Sequence, residues 1–249
     1  MTRFTILHED DTLLILDKPS GMIVNRADTT RYNQTVQDML DAHFNRKPYY
    51  SSAGQKSDEE IFKERSGIVH RLDKETSGIL LIAKTVTAFL DLQKAFQERK
   101  VKKTYLALAH GQLSPSSGEV TVPVGRLPFN RKRFGVVPGG KESMTRYTVL
   151  QRYQDPKTKE VFSFIKLFPQ TGRTHQIRVH LKHLNHPIFA DELYAGRKTA
   201  RSDRKILQRL FLHATEISFA HPASGQQLVI FSPLPDELQL FLQTLMPVP

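Results

Sequence analysis

Residues 67 to 83 constrain the fold more than any other stretch of the chain. A short apolar approach, Gly67-Ile68-Val69, leads into His70-Arg71-Leu72-Asp73-Lys74-Glu75-Thr76-Ser77-Gly78, and the apolar run Ile79 to Ala83 follows at once. That order predicts strand, loop, strand, with Asp73 held in the loop. An aspartate in a loop is ordinarily a turn former or a helix cap. Here it stands beside an arginine and ahead of a Thr-Ser-Gly turn, among donors of fixed geometry, which makes it the first candidate for a functional carboxylate.

The rest of the chain builds a frame for that loop. Residues 4 to 7 and 13 to 17 read as two strands split by the acidic turn Glu9-Asp10-Asp11, and Lys18-Pro19-Ser20-Gly21 ends the second. Lys18 reads as structural or peripheral. Val36, Met39, Leu40 and Phe44 fall at helical spacing, so a helix is expected over 34 to 44. From 45 to 66 the sequence is polar and without period, and a mobile loop is expected, either folding over a bound partner or idle at the surface. Thr85 is placed to cap a helix running to about Glu98. Four cations in the five residues Arg99 to Lys103 lead into the alternating strand Thr104 to Ala109.

Further on, strands are expected over 119 to 124 and 145 to 152, separated by a basic, glycine-rich loop from Phe129 to Gly140 in which aromatics interleave with cations. That loop lacks the spacing of a phosphate-cradling nucleotide site. Strand 162 to 167 precedes a turn at Gly172 and a helix that Thr174 is placed to cap, with Ile177, Leu181 and Leu184 on one face. A second basic belt runs from Arg197 to Arg209, strands follow to Phe219 and from Leu228 to Phe231, and a last helix begins near Pro235. His175, His180, His183 and His186 invite a metal reading, but there is no His-Glu-x-x-His pattern and only His180 and His183 come close in a helix, so capping, packing or contact with a bound partner is expected and no metal.

Charge bounds the partner. With 36 Lys and Arg against 25 Asp and Glu, the net charge of +11 attracts polyanions, and nucleic acid is favoured over a membrane surface because no basic amphipathic helix with bulky apolar residues stands out. No apolar run approaches the roughly 20 residues that span a bilayer. The absence of cysteine excludes disulfides and thiolate chemistry and fits a reducing compartment, so a cytoplasmic location is expected.

Three stretches in order resemble one known family. His-Arg-Leu-Asp-x-x-Thr-Ser-Gly at 70 to 78 is similar to the active-site motif of the RluA-type pseudouridine synthases, Lys-x-Tyr-x-Ala at 103 to 107 to the second motif, and Thr-Gly-Arg-Thr-His-Gln-Ile-Arg-Val-His at 171 to 180 to the third. Lys18-Pro19-Ser20-Gly21 also matches a segment near the start of those enzymes. The resemblance implies an α+β fold: a single catalytic domain over 1 to 249 with a mixed, mainly antiparallel sheet, flanking helices and a central RNA cleft. It implies no cofactor and no metal. Many relatives acting on large ribosomal RNA carry a small RNA-binding domain ahead of the catalytic one, whereas this chain is expected to begin with the catalytic domain.

By the same resemblance Asp73 is the catalytic carboxylate, Tyr105 stacks on the target base, and Arg178 pairs with the carboxylate, while Arg173 meets RNA or backbone. Turning uridine into pseudouridine breaks the N1 to C1′ bond and rejoins the uracil through C5, with Asp73 acting at the sugar as a covalent nucleophile or by helping form a glycal. The base must first leave its stack, and Arg71 is the candidate to occupy the vacated space. Ribosomal and transfer RNA both remain open as substrates, and a monomer is the expected state. Two other readings stand beside this one: a glycosidase, for which Glu75 is the nearby second carboxylate, and an RNA-binding module without chemistry.

Overall fold

The computed structural model describes residues 4–27, 34–50 and 54–249, with backbone alone at Arg131 and Lys132. Residues 51–53 of the expected loop lie outside it, as do the first three residues of the chain. In chain order the elements are β1 (Thr5–Glu9), β2 (Leu13–Lys18), α1 (Val36–His43), α2 (Asp58–Glu64), β3 (Ser77–Ala83), α3 (Val86–Gln97), β4 (Lys102–His110), β5 (Ser117–Thr121) and β6 (Val124–Leu127). They continue with β7 (Asn130–Val136), β8 (Met144–Gln154), β9 (Val161–Pro169), α4 (Gln176–His183), α5 (Arg197–Asp203), β10 (Leu212–Ala220), β11 (Gln227–Phe231), α6 (Asp236–Gln243) and β12 (Met246–Val248). The class is α+β, with mainly antiparallel strands and flanking helices.

The chain divides into two compact units, Met1–Lys102 with Glu216–Ser232, and Lys103–Thr215 with Pro233–Pro249. In the first, β2 pairs antiparallel with β1 on one side and β3 on the other, Leu13 opposite Ala83 and Lys18 opposite Gly78. Every residue of β3 is buried, which is why Ile79 to Ala83 reads as an unbroken apolar run rather than an alternation. Ile79, Leu81 and Phe89 share a core with Leu13, Ile15 and Phe62. Thr85 caps α3 by accepting the Ala88 N–H.

In the second unit β9 lies between β4 and β8, Tyr105 opposite Leu167 and Thr145 opposite Pro169, and β8 also carries β5 and β12. α6 buries Leu238 and Phe241 in the core of this unit, where the Phe189 and Phe241 rings stack at 4.7 Å.

Five local readings need correction. Residues 58–64 of the aperiodic segment 45 to 66 form α2, with Ser57 and Glu60 as a capping box and Phe62 buried against Phe89. A helix this short shows one buried position and hence no period. The basic loop after Phe129 is largely strand β7, paired with β6, and the strand expected over 119 to 124 ends at Thr121. Thr174 caps nothing: His175 holds the cap position in a left-handed conformation, and Gln176 reaches back to take the Arg173 N–H. The basic belt contains α5, which its charges disguised.

Candidate active site

In the first unit the Asp73 loop is fixed at both ends. Ahead of it, α2 stops at Arg65, and Ser66 (φ 49°) and Gly67 (φ 79°) turn the chain into an antiparallel bridge between Ile68 and Ile82. A Cβ on Gly67 would lie 2.0 Å from the Ala83 carbonyl oxygen, so both the positive φ and the close approach demand glycine. Ser66 is held in turn by its Oγ, which donates to the buried Asp41 at 2.8 Å, and Asp41 pairs with Arg26. His70 Nε2 accepts the Leu81 N–H at 2.9 Å while its ring lies 5.0 Å from that of Phe96.

Behind Asp73 the Lys-Pro-Ser-Gly turn grips the backbone. Lys18, only 1% exposed, donates from Nζ to the carbonyls of Pro19, Met22 and Lys74. Gly21 N–H donates to the Lys74 carbonyl at 2.8 Å and Ser20 Oγ to that of Glu75 at 2.7 Å. The Thr76 N–H closes the turn on the Asp73 carbonyl. Leu72 is buried, Asp73 half-buried and Arg71 exposed, so the carboxylate and the neighbouring cation are presented while the leucine between them anchors the loop.

The second unit carries Tyr105, Arg173 and Arg178. Tyr105 is half-buried on β4 at the margin of that unit's core. Two residues earlier on the same face of the strand, burial pushes the Lys103 ammonium down to about 8. Gln176 is the hub of the turn before α4: its Oε1 accepts from Thr171 Oγ1 and Arg173 N–H, and its Nε2 donates to the Met144 carbonyl and Thr145 Oγ1. Arg173, half-buried, donates from Nε to the Glu142 carbonyl.

Arg178 is buried at 3% exposure and gives Nε and Nη2 to the two oxygens of Asp191, each at 2.8 Å. That bidentate pair fixes the plane of the guanidinium as well as its position. Tyr194 lies under it, ring centre 5.1 Å from the guanidinium carbon, and its hydroxyl meets the Phe134 N–H and His175 Nδ1. His180 packs in one tautomer: Ser143 Oγ donates to the Val122 carbonyl and so accepts from His180 Nε2, and burial pushes the imidazole down to about 4. Among the described residues no group of three or more His, Asp or Glu is placed to hold a metal ion.

The sequence pattern of the family described as RNA pseudouridylate synthase matches residues 12–183. The chain belongs to that family. It is 40% identical to the ribosomal large subunit pseudouridine synthase D of Nitrosomonas europaea over 98% of this chain and 66% of that protein. The enzyme of the same name from Neisseria meningitidis serogroup B is 38% identical over 96% and 60%. The chain thus spans 60–66% of the length of these two relatives. Human RNA pseudouridylate synthase domain containing 1 has the same fold, with a TM-score of 0.73 at 26% identity, over 99% of this chain and 89% of its own.

The matched residues of this pseudouridylate synthase family member include Arg71, Asp73, Tyr105, Arg173 and Arg178. Asp73 and Arg71 stand in the first unit and the other three in the second. The sequence reading did not single out Asp191 and Tyr194 as neighbours of Arg178, or Gln176 as the hub of the turn that holds Arg173. A signal for Asp191 existed, since an arginine on the inner side of a helix needs a buried counter-charge.

Proposed function

We propose that the chain is an RNA pseudouridine synthase acting on ribosomal RNA, with Asp73 as its catalytic residue. The observation that carries the reading is the loop itself: a half-buried aspartate whose following peptides are gripped by Lys18, Ser20 and Gly21, in a chain of this family. Ribosomal rather than transfer RNA is favoured by the names of the bacterial relatives.

In the proposed reaction the N1 to C1′ bond of a uridine breaks, the uracil turns, C5 bonds to C1′, and the proton lost from C5 is balanced by one gained at N1. No redox partner or group donor is required. The Asp73 carboxylate acts at the sugar, covalently or through a glycal. Arg71 fills the RNA stack after the base flips, Tyr105 stacks on the uracil, and Arg178 keeps the carboxylate ionised and oriented while Arg173 contacts RNA. The net charge of +11 supplies the non-specific attraction. The enzyme works as a cytoplasmic monomer in this reading.

The test is to map pseudouridines by carbodiimide-dependent reverse-transcription stops in RNA from cells lacking the gene and cells complemented with wild type or Asp73→Ala. A ribosomal site lost on deletion and restored by wild type alone is the expected result. Restoration by Asp73→Ala would overturn the assignment of the catalytic residue, and a site in transfer RNA would overturn the choice of substrate.

A further inference from the structure

Asp191 orients Arg178, and Asp191 is itself held by an unusual turn. Its Oδ1 accepts the Leu193 and Tyr194 N–H groups at 3.0 and 3.2 Å, and the residue before it, Ala190, is left-handed at φ 61°. That conformation is unfavourable for an alanine and persists only where neighbours over-determine it. Both polar groups of Ala190 are taken by the end of α5. Its N–H donates to Asp203 Oδ2 at 2.9 Å, and its carbonyl accepts from Arg204 Nε at 2.8 Å.

Each member of that clamp is braced in turn. Asp203, 4% exposed, shares Oδ2 with His110 Nε2 at 2.9 Å, and His110 Nδ1 lies 3.1 Å from Glu160. The His110 ring stacks at 5.5 Å on Phe189, the residue preceding Ala190. Arg204 also donates from Nη1 to the Gln208 carbonyl at 2.7 Å. Neither His110 and Glu160 nor Asp203 and Arg204 fall in the stretches that resemble family motifs.

We infer that Asp203 and Arg204 are positioning residues for Arg178, acting through the Ala190 peptide and Asp191. The inference rests on the proposed role of Arg178 in turnover. A guanidinium that must meet a carboxylate productively has to be held to about 0.5 Å, and the bond to Asp191 achieves that only if Asp191 is itself immobile.

The experiment follows the Arg178 Nε–H by NMR in protein labelled with 15N-arginine, the signal being assigned by its loss in Arg178→Lys. Asp203→Asn and Arg204→Met are compared with Lys205→Ala, an exposed neighbour on the same turn. Hydrogen exchange at Arg178 Nε is expected to accelerate about tenfold in the first two and to stay within about twofold in the third. In the same variants kcat for pseudouridine formation should fall about tenfold with KM for RNA nearly unchanged. Unchanged exchange in folded Asp203→Asn and Arg204→Met would overturn the inference, as would faster exchange with unaltered kcat. Should Asp203→Asn fail to fold, Arg204→Met decides alone, because Arg204 is only half-buried. A wild-type protein inert on RNA would sink the proposed function instead, with the exchange comparison still testing the link to Arg178.

Discussion

Lys18 Nζ donates to the carbonyl of Lys74 at 3.2 Å, one peptide beyond Asp73, from a side chain only 1% exposed. Of the two readings of this lysine, structural or peripheral, the contacts favour the first: it brackets the loop that carries the carboxylate. Lys18→Met keeps the bulk but leaves the carbonyls of Pro19, Met22 and Lys74 without this donor. It should lower unfolding free energy by about 3 kcal/mol in urea titration and reduce turnover more than RNA affinity.

Gly67→Ala is expected to be worse. It sets a Cβ 2.0 Å from the Ala83 carbonyl oxygen and forces a positive φ on an alanine. A loss of about 3 kcal/mol or more, or failure to accumulate as folded protein, should appear in thermal melts. Gly139→Ala, also at positive φ but in open space, should cost only about 1 kcal/mol.

Asp191→Asn keeps the shape of the side chain and removes the charge that faces Arg178 in a buried setting. The expected loss of stability is about 3 kcal/mol by denaturant titration. Asp191→Ala should be no milder.

Stability should also depend on pH through His180. Its imidazole is pushed down to about 4 by burial, against 6.5 for the ordinary residue. Between these values the unfolded chain binds a proton that the folded chain refuses, so stability falls as pH drops from 6.5 toward 4. The contribution is about 2 kcal/mol after allowance for solvent screening, and His180→Gln should flatten that part of the profile.

The β6–β7 turn bears Phe129 fully exposed at 103%. Phe129→Ala should leave the melting temperature unchanged. If the ring stacks on RNA it should weaken binding by about 1–3 kcal/mol in filter binding at fixed salt, with the slope of log affinity against log salt unaltered.

Much of this architecture was legible because long apolar periods and caps announce themselves. The run Ile79 to Ala83, the Thr85 cap and the alternation of Thr104 to Ala109 all became the elements expected. Short helices did not: α2 buries only Phe62, and α5 hides behind its exposed arginines. The motif residues and the Lys18 to Gly21 turn were named from sequence, whereas the particular pairings that hold them were not. Asp191 lies 13 residues from Arg178, and Lys18 is 56 from Lys74. Such pairings leave no periodic trace, since they depend on which turns the chain brings together.

The capping box at Ser57 separates two kinds of freedom along the chain. From Ser57 onward the path to Asp73 is pinned by α2, by the Ser66 and Gly67 corner and by the bridge to β3. On the other side, the Arg46 N–H is tied to the Asp41 carbonyl, closing off α1. Between those two anchors Tyr49 donates to Glu60 at 3.0 Å and Lys56 to Glu64 at 2.6 Å, so a change of length there puts these two contacts at stake besides a loop-closure entropy of about 0.6 kcal/mol for each doubling. Segments grafted between residues 47 and 56 should therefore leave the loop that carries Asp73 in place, at the cost of those contacts to Glu60 and Glu64.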